Sequence, residues 1–266
     1  MNVACCQFDI VWENKAANFE KVRALLAHAA LAKDSLVLLP EMFATGFSMN
    51  AEAIAEERGG PTEKFLAQSA QDFGICLMGG IATRGRDGLA RNEAVVFSPR
   101  GIELARYCKM HPFTPGGEAR HYRAGGCPII FPWRDFSIAP FICYDLRFPE
   151  IFRPAAARGA QLITVMACWP DARLAHWVKL LQARAIENQA YVAGVNRCGQ
   201  DPSFHHSGRS LIVNPHGEIL ADAGADEKII THEIELAPLL KYRGDLPFLK
   251  DMQSKRIGFE VAGGAD

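Results

Sequence analysis

The stretch Phe136-Ser137-Ile138-Ala139-Pro140-Phe141-Ile142-Cys143-Tyr144-Asp145-Leu146-Arg147-Phe148-Pro149-Glu150 changes character twice. The apolar run up to Ile142 reads as a buried strand. Polar residues then break it, and Pro149 suits the first turn of a helix. A sharp strand-to-helix bend pushes its residue out into a pocket and leaves backbone N–H groups for an oxyanion. The residue at this bend is Cys143, a candidate nucleophile. The competing reading is a buried structural cysteine, the one given to Cys5, Cys6, Cys76 and Cys127.

Working outward, the same alternation recurs along the chain. Apolar spacing predicts strands at 3–8, 36–39, 75–82, 93–97, 102–107, 129–131, 136–142, 162–166, 191–195, 209–213, 218–221 and 228–235. Helices are predicted over 14–33, 61–73, 149–158 and 174–188. Helices separated by many strands imply an α/β fold of sheets covered by helices. No low-complexity linker divides the chain, so one domain over 1–266 is expected, with 241–266 an ordered arm or a tail.

The 266 residues carry 29 Lys+Arg against 30 Asp+Glu, a net charge of -1. That balance gives no general electrostatic case for nucleic acid. With 49% hydrophobic and 22% charged residues, the composition is globular and not disordered. No secretory signal and no run long enough to span a bilayer is read, so no membrane partner is expected. The eight cysteines contain no Cys-x-x-Cys pair. A reducing, cytoplasmic setting without a structural metal is therefore expected. Gly-x-Ser-x-Gly, Walker and dinucleotide patterns are missing, which leaves serine-hydrolase, nucleotide and NAD readings without motifs.

Two further residues share the context of Cys143. Glu41 ends Leu38-Leu39-Pro40-Glu41, and Lys109 ends Arg106-Tyr107-Cys108-Lys109. Side chains at the carboxyl ends of buried strands converge when the strands are neighbours. Taken singly, Lys109 reads as a solvated surface lysine and Glu41 as a buried ion-pair partner. A Cys–His pair, Cys143 with His111 or His206, is a competing arrangement. His205-His206 is a weak candidate metal ligand pair.

Together these segments resemble the carbon–nitrogen hydrolase, or nitrilase, superfamily. The matching pieces are Leu38 to Phe43, Lys109-Met110-His111, Ile142 to Glu150, Gln182 to Val192, Gly208-Arg209-Ser210 and Asn214 to Leu220, in the family's order, over about residues 1–240. The resemblance implies a four-layer αββα sandwich, usually a homodimer, with helices 149–158 and 174–188 as expected interface. It implies Glu41 as general base, Lys109 as cation, Cys143 as nucleophile and Glu118 as the second glutamate, with no cofactor. A lysine ammonium near the thiol is expected to lower the thiol pKa.

Ala44 to Met49 and Ala183 to Val195 resemble the omega-amidase branch, which hydrolyses the terminal amide of short dicarboxylic monoamides. Cys168-Trp169-Pro170 stands where that branch often has Asn-Trp-Pro. For such a substrate Arg147 is the candidate carboxylate-binding cation, against the alternative of pairing with Asp145, Glu150 or Glu187. Phe43, Tyr144 and Trp169 are candidate walls. An N-carbamoyl-amide hydrolase or a nitrilase is the competing enzyme. A thiol redox sensor is the competing function of another class, although the sequence shows no close cysteine partner for Cys143.

Overall fold

A computed structural model describes residues 1–253. The first half contains β1 (Asn2–Gln7), α1 (Lys15–His28), β2 (Leu36–Leu38), α2 (Ala51–Ile54), β3 (Glu56–Glu57), α3 (Pro61–Phe73), β4 (Cys76–Arg84), β5 (Ala90–Phe97) and β6 (Glu103–Cys108). The second half contains β7 (Phe131–Trp133), β8 (Phe136–Ile142), α4 (Pro149–Ala157), β9 (Leu162–Ala167), α5 (Leu174–Asn188), β10 (Tyr191–Asn196), β11 (Cys198–Gln200), β12 (His205–Ser207), β13 (Leu211–Val213), β14 (Ile219–Asp222), β15 (Lys228–Glu233) and α6 (Leu236–Asp245).

Two sheets form the centre. One runs β15-β1-β2-β4-β5-β6, with β3 added along β4; the other runs β14-β13-β10-β9-β8-β7. Strand β1 shows why they stack. Val3 and Cys5 face the core shared with Ile138, Leu162 and Met166 of the second sheet, the face on which Thr164 reaches Met78. Ala4 and Cys6 face the opposite way, into the core beneath Val22 and Leu26 of α1 and Leu66 of α3. Side chains alternate along a strand, so an all-apolar strand requires cover on both faces. Helices α4 and α5 close the far side through Phe152, Trp177 and Leu181. The result is the αββα sandwich.

Local chemistry sets the helix ends. The Asn14 side chain accepts from the Ala17 N–H at 3.1 Å and caps α1. Pro61 opens α3, and Gly74 closes it at φ 65 in the left-handed region.

Several boundaries move. Helix α1 ends at His28 because Ala29 is extended. The strand expected at 129–131 lies at Phe131–Trp133, where Phe131 pairs with Ile138 and Trp133 with Phe136. The arm or tail expected over 241–266 begins inside α6 (Leu236–Asp245), which is docked by Leu239 and by Arg243 donating to the Ala160 and Gln189 carbonyls. Residues 254–266 of the expected arm lie outside the described residues. The two-stranded β11–β12 ribbon was not anticipated.

Candidate active site

The strand directions bring one edge of each sheet together. β2 runs parallel to β4, and β5 runs antiparallel to both β4 and β6, so β2 and β6 point the same way. Glu41 and Lys109 therefore leave the first sheet at the same edge. In the second sheet β8 and β9 are parallel neighbours and deliver Cys143 and Cys168. The two edges meet where the Cys168 N–H donates to Glu41 Oε2 at 3.0 Å. The close fit depends on Gly80, where an added Cβ would fall 2.6 Å from the Glu41 Cα and 2.9 Å from the Met42 nitrogen.

Glu41 and Glu118 are fully buried, and Lys109 is 1% exposed. Lys109 Nζ donates to Glu41 Oε1 and to Glu118 Oε2, both at 2.8 Å. Asn92 Nδ2 donates to Glu41 Oε1 at 2.7 Å and to Glu118 Oε1 at 2.9 Å. The Phe113 N–H donates to Glu118 Oε2 as well. Buried charges persist only when paired and hydrogen-bonded, and this cluster meets that condition for three of them. Lys109 Nζ also lies 5.0 Å from the centre of the Phe47 ring.

Cys143 sits at φ 46, left-handed for a non-glycine residue. Such a conformation costs about 1–3 kcal/mol and persists only when its surroundings impose it. Asp145 supplies the restraint. Fully buried, it accepts from the Tyr107 hydroxyl at 2.7 Å, the His111 N–H at 2.9 Å and the Ile142 N–H at 3.1 Å. Those donors flank Lys109 on one segment and Cys143 on the other. One carboxylate thus ties the lysine-bearing strand end to the cysteine bend.

Lys109 pulls the thiol pKa down, as expected, but it does not set the net shift. Burial first, and the Glu41 charge second, push the Cys143 thiol well above its ordinary value; Lys109 opposes them without prevailing. The Lys109 charge already faces two carboxylates. For the lysine itself, burial alone would favour the neutral form, but Glu118 and Glu41 outweigh it and hold the pKa well above normal.

A cavity of about 490 Å³ opens onto Cys143. Tyr144, Arg147 and Trp169 line it, as the sequence suggested; so do Phe47, Phe113 and Arg173, which it did not single out. Phe43 is the exception. It is fully buried among Phe19 and Phe65, in the core between sheet and outer helices, and does not reach the cavity. The chain turns after Glu41, with Met42 at φ 45, and Phe43 packs into that outer core.

Arg147 makes no ion pair with Asp145, Glu150 or Glu187 among the described residues. Its guanidinium lies 4.8 Å from the Trp169 ring, and Arg173 lies 5.7 Å from the Phe113 ring. The two histidine alternatives are engaged elsewhere: His111 Nδ1 contacts Asp145, and His206 Nε2 contacts Asp201 at 2.8 Å. His205 meets Asp171 instead of a metal cluster. Cys127, expected to be buried, is exposed, and Cys168 lines the same cavity as Cys143.

The layers and this grouping of carboxylates, ammonium and thiol define a cysteine-centred pocket in an αββα sandwich. The chain belongs to the carbon-nitrogen hydrolase family, whose sequence model matches residues 2–243. It is 32% identical to the 2-oxoglutaramate amidase of Bacillus subtilis (strain 168), over 94% of this chain and 97% of that one. It is 35% identical to the omega-amidase YafV of Escherichia coli (strain K12), over 97% and 98%. The fold is similar to that of XC1258 from Xanthomonas campestris, a CN-hydrolase superfamily protein with an arsenic adduct in the active site. The TM-score is 0.89 at 33% identity, with 99% of each chain covered.

Proposed function

We propose that this protein is an omega-amidase, hydrolysing the terminal amide of short dicarboxylic acid monoamides of the 2-oxoglutaramate and succinamate type. The observation that carries the reading is the buried Glu41–Lys109–Glu118 cluster beside Cys143, at a cavity lined by Arg147 and Arg173, which have no carboxylate partner among the described residues. The names of the B. subtilis and E. coli relatives support the same substrate class.

Because the thiol pKa is raised, proton removal accompanies attack. Glu41 takes the Cys143 proton as sulfur bonds to the amide carbon. Lys109 and the Tyr144 N–H stabilise the oxyanion. Glu41 returns the proton to nitrogen, ammonia leaves, and a thioester remains. Glu41 then takes a proton from water, whose oxygen attacks the thioester; the acid departs and the proton returns to sulfur. The sum is amide plus water giving acid plus ammonia, and neither a metal nor an organic cofactor takes part. Glu118 keeps Lys109 in place.

An anion in a partly dry pocket needs a cation, and Arg147 fills that role in this reading, with Tyr144 and Trp169 as walls. Ammonia release is expected from succinamate and 2-oxoglutaramate, and far more slowly from neutral butyramide. A charge-assisted hydrogen bond is worth about 1.5–3 kcal/mol, so Arg147→Gln should lower kcat/KM on succinamate by about 10–150-fold and spare butyramide. Equal efficiency of the unaltered protein on succinamate and butyramide would leave only a general amidase. Carbon dioxide release from N-carbamoyl substrates would indicate the carbamoyl-amide hydrolase instead.

The reading includes a homodimer. Ile186, on α5 of the expected interface, is 52% exposed. Light scattering at low micromolar concentration should give twice the chain mass; a clean monomer would count against it. A cytoplasmic setting suits eight free cysteines. No helix among the described residues is long and apolar enough to cross a membrane.

A further inference from the structure

Asn92 lies on β5, 1% exposed, behind the carboxylate cluster. Its position is fixed by the main chain, since its carbonyl accepts from the Lys109 N–H at 2.9 Å. Its amide nitrogen bridges Glu41 and Glu118, while Oδ1 has no hydrogen-bond partner among the described residues. The opposite amide orientation would aim oxygen at two carboxylates, so the network itself selects the nitrogen.

Each glutamate receives three donors, and on each they split unequally between the two oxygens. Glu118 receives one on Oε1 and two on Oε2. Glu41 receives two on Oε1 and, on Oε2, a single backbone N–H. Oε2 is therefore the less saturated oxygen of Glu41, and its one donor, the Cys168 N–H, places it on the side of the second sheet that also carries Cys143. Two carboxylates sharing one lysine also tend to hold a proton between them. The Asn92 amide offers one N–H to each carboxylate, and it brings no negative charge of its own.

We propose that Asn92 is a positioning residue that holds the Glu41 and Glu118 carboxyl groups apart, each on its own N–H, and leaves Glu41 Oε2 to exchange the proton with Cys143. The proposal rests on the reading of Glu41 as the proton carrier. Asn92→Asp replaces the donor by an acceptor of nearly the same shape. The variant cluster then holds three carboxylates against one ammonium, and it keeps a proton to higher pH. The other ionisable groups facing it are Tyr122, Cys143 and Cys168.

The test measures kcat and KM for succinamate from pH 5 to 9 in Asn92→Asp and Asn92→Ala, with thermal unfolding alongside. Asn92→Asp is expected to leave KM within about twofold and to lower kcat at pH 7 by about 100-fold, the scale of a misplaced catalytic group. The acid limb of its kcat/KM profile should move up by about one pH unit, as a like charge beside a carboxylate requires. Asn92→Ala should shift the limb in the same direction by less. Normal kcat with an unmoved acid limb in Asn92→Asp, beside an inactive Glu41→Gln, would overturn the proposal alone. A fully active Glu41→Gln would instead overturn the base assignment beneath it. Should Asn92→Asp fail to fold, an unmoved limb in folded Asn92→Ala overturns the proposal. Loss of activity only in step with loss of folded protein, the limb unmoved, would make Asn92 merely structural.

Discussion

Cys143→Ala is expected to bring ammonia release from succinamate down to background. Removing the nucleophile of a covalent hydrolase removes the group on which the other catalytic residues act, and losses of about 10⁶ in kcat are known for such units. The fold should survive. Alanine keeps the backbone of the bend, which is held by Asp145 and not by the thiol. Turnover persisting in the alanine variant would sink the thioester mechanism. The structure also revises which cysteine reacts first with iodoacetamide. The sequence points to Cys143, but its thiol stays protonated at neutral pH because burial and Glu41 raise its pKa. Alkylation requires thiolate, so the Cys143 rate should be low at pH 7 and rise with pH, and exposed Cys127 should be labelled first.

The parts of the site that were legible are those that end an apolar run. Glu41, Lys109 and Cys143 each follow such a run, and the strand directions do the rest. Asn92 and Asp145 had no such signal. Asn92 meets Glu41 across 51 residues and Asp145 meets Tyr107 across 38, so only the assembled sheets reveal them. Arg173 gave no motif, and its place on the cavity wall comes from the turn before α5. The fold follows the same division. Helices α3 and α5 match their expected ends, because periodicity runs their whole length. Helix α6 was hidden: Pro238 and Gly244 interrupt its pattern, and tertiary contacts through Leu239 and Arg243 hold it.

Glu41→Gln is expected to stop acylation and deacylation together. General acid–base catalysis contributes about 10²–10⁴ per step, and in the proposed mechanism this one carboxylate serves both half-reactions. Glutamine keeps the shape and occupies the same space beside Lys109. It also leaves Lys109 paired with Glu118, one positive charge against one negative, so the buried cluster stays balanced. Lys109→Ala is a poorer probe of the same chemistry. It would strand Glu41 and Glu118 in the interior without a cation, and breaking a buried ion pair costs about 3–5 kcal/mol. Its loss of turnover would therefore mix oxyanion stabilisation with lost folding. The decisive measurement is a rapid-quench time course of ammonia release with Glu41→Gln at substrate excess. Neither a burst nor steady turnover should appear. A normal ammonia burst followed by a stalled thioester would show that another group takes the thiol proton, and it would confine Glu41 to the hydrolytic half-reaction.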